Sequence, residues 1–295
     1  MVQDFSEARR TTHEAADTAH RIFRGAAYSR EKAFMPIIAL TTDFGTRDHF
    51  VAAMKGVILG IAPKTTIVDV SHEIKPYDVA EAAFVVWQVW NDFPQGTIHV
   101  VVVDPGVGTS RRIILGQYDR RLIVAPDNGV ISWLHRSLRI EDMRSVENQE
   151  YFRPNPSNTF HGRDVLAPVA AHLAAGIKPS AMGPRTDRAE VLPLPVRPAR
   201  TAGGFEGRVI HVDRFGTLIT NITRQDLFAP AVQPRSWRVS VNNEAIGPIR
   251  DTFHDVPRQT VVALIGSADL LEIAVNQGSA LERFGPPEGI RVEVR

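Results

Sequence analysis

From residue 36 onward, two periods of apolar and polar positions alternate along the chain. PIIALTT (36–42) is a short apolar run closed by the loop DFGTRD, which predicts a buried strand. After it, Phe50, Val51, Met54, Val57, Ile58 and Ile61 share one face of a helix that Pro63 ends. The unit then repeats, with TIVDV as strand and DVAEAAFVVWQVWNDF as helix, where Val79, Ala82, Ala83, Val86, Trp87 and Trp90 lie on one side. TIHVVVV is a third strand and runs into DPGVGTSRR. Buried strands alternating with helices predict a three-layer α/β domain with a largely parallel sheet, spanning residues 35–190. Ligands bind beyond the carboxyl ends of strands in such sheets, which is where Asp43 and Asp104 fall; Asp69 lies near the end of its own strand.

The pattern changes on either side of this block. Residues 1–34 hold few large apolar side chains and little periodicity, so they read as an N-terminal extension, a tail or a loosely docked helix. Residues 184–204 are dense in Pro, Gly and Arg and read as a linker. Beyond it, GRVIHVD, TLITN, WRVSV, TVVALIG, LLEIAV and RVEV are short alternating runs between turns, which predict a C-terminal antiparallel β-barrel-like domain over residues 205–295.

Composition narrows the class. A chain of 295 residues with 43% apolar content needs no disulfide or structural metal to fold, and it has no cysteine, which removes thiolate catalysis and Cys-ligated metals. The net charge of +1 and the absence of a basic stripe argue against nucleic acid or a membrane surface as partner. No apolar run approaches the roughly 20 residues of a membrane span, and the first residues lack the apolar core of a signal peptide. The expected location is the cytoplasm.

Four segments carry the candidate chemistry. In TTDFGTRDHF (41–50) a carboxylate at a strand end suits a vicinal diol, since one ionised carboxylate accepts from two hydroxyls; helix capping by Asp43 or Asp48 fits the same pattern. In VVVDPGVGTSRR (101–112) an irregular turn joins Asp104 to Arg111, without the spacing of a phosphate-binding loop. An ordinary surface ion pair, worth at most about 1 kcal/mol, is the plain alternative there. NTFHGRD (158–164) sets His161, Arg163 and Asp164 at a helix start, where Asp164 suits capping and His161 suits either acid–base work or a structural contact. VDRFGTLITNI (212–222) and IGSADLLEIAVNQGSA (265–280) place Asp213, Phe215 and Gly216 at a turn tip and Ser267 with Asn276 as a second polar pair; hairpin chemistry accounts for both as well. There is no G-x-S-x-G for serine catalysis. Asp43, Asp69, Asp104, His72 and His161 are conceivable metal ligands, but no H-E-x-x-H or close His pair accompanies them, and no metal is expected.

Taken in order, TTDFGTRD, MKGVILGIAP, IVDVSHEI, VVDPGVGTSRR, VAPDNG, NTFHGRD, VDRFGTLITNI and GSADLLEIAVNQGSA resemble the S-adenosylmethionine hydroxide adenosyltransferases, hydrolases of S-adenosylmethionine related to fluorinase and chlorinase. The resemblance covers about residues 36–295 and leaves the N-terminal extension aside. It implies an α/β domain joined to a β domain, and a homotrimer whose active sites lie between the first domain of one subunit and the second of its neighbour. It further implies metal-independent attack of water on the ribose C5′, giving adenosine and methionine, with S-adenosylmethionine as substrate and no cofactor. By the same resemblance Asp104, Arg111 and His161 cluster near the attacking water. Their chemistry suits Arg111 and His161 to activating it while Asp104 fixes them, although residue types alone do not assign the base. Asp43 grips the ribose hydroxyls, Asp48, Asp213 and Ser267 lie near the methionine end, Phe253 stacks on adenine, and Phe215 and Thr217 complete the substrate set. The family often has Asn where this chain has Thr217, and a non-catalytic binding module is the alternative that this departure suggests. The halogenases carry an inserted loop where this chain has only IILGQYDRRLIV between Arg112 and Ala125.

Overall fold

The apolar runs form strands β1 (Ile37–Thr42), β2 (Thr66–Ser71) and β3 (Ile98–Val102), separated by helices α1 (Phe50–Ile61) and α2 (Val79–Val89). The computed structural model describes residues 35–194, 197–229 and 237–295; the extension read over residues 1–34 lies outside the described residues. The chain continues through β4 (Ile113–Tyr118), β5 (Arg121–Pro126), α3 (Ser132–Ser137), β6 (Ile140–Ser145) and α4 (Ala167–Ala174). The sheet order is β2-β1-β3-β5-β4-β6. β1, β2, β3 and β5 run parallel and β4 is antiparallel to both of its neighbours. Asp119 and Arg120, at φ 44° and 59°, make the tight turn between β4 and β5, the mirror-image hairpin geometry that matches strand twist.

Alternation along each strand divides the core into two. Ile38, Leu40, Val100 and Val102 face α1 and α4, whereas Val101, Val103, Ile123 and Ala125 face α2 and α3. Helices thus cover both faces of the sheet, the three-layer arrangement that the alternating periods predict.

The second half forms β7 (Ala199–Arg200), β8 (Phe205–Val212), β9 (Leu218–Thr223), α5 (Arg224–Phe228), β10 (Arg238–Val241), β11 (Glu244–Arg250), β12 (Val261–Ile265), β13 (Leu270–Val275), α6 (Ala280–Phe284) and β14 (Arg291–Val294). Seven strands close into a barrel through the β14–β8 pairing, with β7 added at one edge. All its pairs are antiparallel except β11–β12, which is parallel. The sequence pattern misses β11 because Gly247 and Pro248 read as turn residues. Here Gly247 lies at φ 119° and a register shift in β10 accommodates it.

Barrel and α/β layers share a core, since Ile219 and Leu270 on the outer barrel wall pack with the α2–α3 cluster. His211 stacks on Phe84 at 4.4 Å. The Pro- and Arg-rich segment is pinned rather than loose over its first half. Arg112 donates to Thr186 Oγ1 and the Arg188 carbonyl, Asp127 accepts from Glu190 N–H, and Arg136 donates to the Leu192 and Leu194 carbonyls. No helix among the described residues is long and apolar enough to cross a membrane.

Candidate active site

β1 lies between β2 and β3, so the chain leaves β1 to one side and returns to the other, which makes the gap between the β1 and β3 ends the switch point of the sheet. Asp43 follows β1 and Asp104 follows β3, placing two carboxylates at that gap. A cavity of about 350 Å³ opens there, lined among others by Asp43, Asp104, Thr159 and His161. Its apolar wall is built by Phe44, Phe50 and Phe160, whose rings meet pairwise at 5.1–5.8 Å.

Arg111 ties the polar wall together. Its Nε donates to Asp104 Oδ1 at 2.8 Å, Nη2 donates to Asp104 Oδ2, and Nη2 also reaches His161 Nδ1 at 2.9 Å. The Asp104 and Arg111 side chains are 6% and 10% exposed, so this is a buried pair and not the surface pair that the sequence equally allowed. A guanidinium only donates, so Nδ1 of His161 accepts and its proton sits on Nε2. Burial first, then the Arg111 charge, lower the His161 pKa against the upward pull of Asp104 and Asp164, which keeps the ring neutral. Asp104 and His161 line the cavity, while Arg111 stands behind them.

Local structure explains the placement. The helix that follows His161 opens with a π-helical turn over Gly162–Leu166, an irregularity concentrated at functional sites. Asp164 does not cap it: its oxygens accept from Ser157 N–H at 2.9 Å and from Arg153 and Arg163, drawing the 153–160 loop onto the helix start. Neither does Asp43 or Asp48 cap α1, whose first flanking residue is His49 with no side-chain cap bond. Asp43 Oδ2 instead accepts from Tyr77 N–H at 2.9 Å, and Asp48 is exposed. Gly108 (φ 79°) lets the Asp104 loop approach the His161 loop, because a Cβ there would stand 2.6 Å from the Asn158 carbonyl oxygen. Gly108→Ala is expected to destabilise the protein by about 1–3 kcal/mol and to lower turnover, read from urea midpoints and steady-state rates. A variant matching the wild type in both would mean that the two loops need not touch.

The barrel residues form a separate group. Asp213 Oδ1 accepts from Phe215 N–H and Thr217 N–H at 2.9 and 2.8 Å, so the carboxylate builds the turn tip, and Gly216 is pressed against Ser279. Phe215 is 78% exposed and Phe253 44%, Thr217 is buried, and Ser267 lies in the β12–β13 turn. Asn276 does not pair with Ser267; its Nδ2 donates to the Val256 carbonyl at 2.8 Å. None of these residues lines the cavity at the switch point. Sequence reasoning missed Tyr77, whose N–H holds Asp43 and whose ring, 71% exposed, stands at the cavity rim; an aromatic before the helix start in KPYDV was its only signal. It also missed Glu272, a half-buried carboxyl raised by burial and by Asp213 beside it.

Among the described residues no group of three or more His, Asp or Glu side chains is placed to hold a metal. Asp69 is occupied by Lys55 at 2.6 Å and Asp104 by Arg111.

The fold and site define a class: an α/β layer with a closed β barrel, carrying an Asp–Arg–His cluster and a second carboxylate at the switch point. Residues 38–183 match the model of the SAM hydroxide adenosyltransferase N-terminal domain and residues 207–293 that of the C-terminal domain. The chain belongs to the S-adenosylmethionine hydroxide adenosyltransferase family. It is similar to the (R)-S-adenosyl-L-methionine hydrolase of Thermus thermophilus, 39% identical over 265 residues, 86% of this chain and 97% of that one. The fluorinase of Nocardia brasiliensis is more distant, 28% identical over 88% of this chain and 97% of its own. A crystal structure of a conserved protein from Thermotoga maritima superposes with a TM-score of 0.79 at 37% identity, covering 88% of this chain and all of that one.

Proposed function

We propose that this protein is an enzyme that hydrolyses S-adenosyl-L-methionine to adenosine and L-methionine by attack of water on the ribose C5′. S-adenosylmethionine is its substrate and it needs no cofactor. The observation that carries the reading is the neutral His161 and the Asp104 carboxylate facing one cavity while Arg111 braces both. The sulfonium leaves as neutral methionine, so no general acid is required, and what the site must supply is an oriented water. His161 Nε2–H donates to that water and Asp104 accepts from it, which leaves one lone pair for C5′. As the new C–O bond forms, the water's protons become acidic, and one passes toward Asp104; this reverses the expected roles of Arg111 and Asp104, because the guanidinium is spent on Asp104 and His161 behind the cavity. Asp43 takes the ribose hydroxyls, and Asp48, Asp213, Phe215, Thr217, Phe253 and Ser267 bind the rest of the substrate. A halide ion would meet the Asp104 charge, which favours hydrolysis over halogenation.

The test is to incubate the protein with each sulfonium epimer of S-adenosylmethionine, with and without chelator and halide, and to identify products by chromatography and mass. Adenosine and methionine in every condition, with preference for the (R) epimer named for the Thermus relative, is the expected result. Binding without product would sink the hydrolase reading in favour of a sensing module.

The reading is of a cytoplasmic homotrimer with shared sites. Its support is that Tyr77 and Val107 stand exposed at the cavity rim while Phe215 and Phe253 stand exposed on the barrel, apolar surface suited to cover between copies. Arg111→Lys and Asp213→Asn chains, each impaired alone, are expected to regain activity when refolded together, because about a quarter of sites in a randomly mixed ring join two intact halves. No recovery in mixed particles whose mass is that of a trimer would mean each site belongs to one chain.

A further inference from the structure

We propose that His72, acting with Asp69 and Thr42, is the positioning device that holds Asp43 at the angle needed to take both ribose hydroxyls; this rests on the reading of the site given above. The pairing of β1 with β2 slips at its end: Leu40 faces Asp69, but Thr41 faces Ser71. Such bulges re-aim side chains beside active sites, and this one carries His72 alongside Thr42, the residue before Asp43.

The His72 side chain is 4% exposed and does not line the cavity. Its Nε2 lies 3.0 Å from Asp69 Oδ1, off the straight line of a hydrogen bond, and its Nδ1 lies 2.9 Å from Thr42 Oγ1. A carboxylate only accepts, so the ring proton belongs on Nε2 and Nδ1 accepts from the Thr42 hydroxyl. With its proton so directed, Thr42 Oγ1 accepts from Phe44 N–H at 3.3 Å. Gly45 N–H donates to the His72 carbonyl at 2.7 Å. The Thr42 side chain before Asp43 and the Phe44 and Gly45 backbone after it are therefore tied, directly or through one hydroxyl, to one buried histidine. Lys55 of α1 anchors the far end, 2.6 Å from Asp69 Oδ2. Burial pulls the Asp69 carboxyl up, but the Lys55 ammonium bonded to it and the His72 ring beside it outweigh that and hold the carboxyl below its usual range, so the anchor stays ionised. Asp43 Oδ2 accepts from Tyr77 N–H, which leaves Oδ1 for the diol.

The experiment compares Thr42→Val, which removes the hydroxyl, with Thr42→Ser, which restores it, and His72→Leu with His72→Asn, whose amide oxygen is an acceptor in place of Nδ1. For each, KM and kcat on S-adenosylmethionine are measured, together with inhibition by adenosine and by 2′,3′-dideoxyadenosine. In Thr42→Val, KM is expected to rise about tenfold with kcat held within about twofold. The preference for adenosine over the dideoxy nucleoside is expected to collapse by a similar factor, and Thr42→Ser to recover it. His72→Leu is expected to follow Thr42→Val, and His72→Asn to keep more of the preference. A role in stability alone would weaken both nucleosides equally, and an unchanged ratio in Thr42→Val and His72→Leu overturns the proposal by itself. A wild type that turns over no substrate and does not distinguish the two nucleosides overturns the reading of the site, and the proposal with it.

Discussion

Replacing Arg111 with lysine is expected to lower kcat on S-adenosylmethionine by about 10² to 10³ while the protein stays folded. The guanidinium holds both oxygens of Asp104 and Nδ1 of His161 from one rigid plane. A lysine ammonium brings the same charge on a single nitrogen, so it satisfies one partner and lets the other drift. Keeping the charge matters for folding, because the Asp104 side chain is only 6% exposed. Stripping its counter-ion, as Arg111→Ala does, leaves a buried charge unpaired and costs about 3–5 kcal/mol. Rates at saturating substrate measured beside urea midpoints separate the two effects. Full turnover in Arg111→Lys would remove the bridging guanidinium from the mechanism. The wild-type rate is expected to hold from neutral pH upward and to fall as the pH drops through the lowered His161 pKa, since a proton on Nδ1 expels Arg111.

The second large effect concerns acid stability. His99 on β3 is fully buried, stacks on Trp90 at 4.6 Å, and has no hydrogen-bond partner among the described residues for either ring nitrogen. Burial, and then the Arg121 charge, push its pKa down to about 3. The unfolded chain binds a proton near pH 6.5 that the folded chain refuses until about 3, so the stability tied to the neutral ring is whole above 6.5 and is lost as the pH falls between those values. That gap corresponds to about 4–5 kcal/mol at the acid end. His99→Leu removes the titrating group and two unmatched polar atoms, so it is expected to lie within about 1 kcal/mol of the wild type at pH 7 and to lose less stability at pH 4.5. Urea midpoints at the two pH values decide it. Equal losses in both proteins would assign the acid sensitivity to other groups.

The fold was legible where one period dominated. Three strands and two helices of the α/β layer follow from apolar spacing, because β1 and β3, buried on both faces, and helices buried on one leave different repeats; the edge strand β2 was legible from its short β-branched run although none of its residues is buried. β11 was not legible, since Gly247 and Pro248 break its pattern and the neighbouring strands supply what its own residues do not. Asp43, Asp104 and His161 were visible as polar residues in loops at the ends of apolar runs. Nothing local said that Arg111 would stand behind Asp104 and His161 rather than face the cavity, or that Tyr77 N–H would hold Asp43, because those contacts cross 50 and 34 positions of chain.

The sequence by itself determined the two kinds of layer, the positions of the strand-end carboxylates and the family to which the chain belongs. These depend on the type and spacing of neighbouring residues, which the chain carries before it folds. Only the tertiary structure decided that the Asp104–Arg111 pair is buried, that His161 accepts at Nδ1, and that His72 ties down both sides of Asp43. Burial and hydrogen-bond direction are properties of atoms brought together from distant segments, and they exist only once the sheet has set β1 beside both β2 and β3.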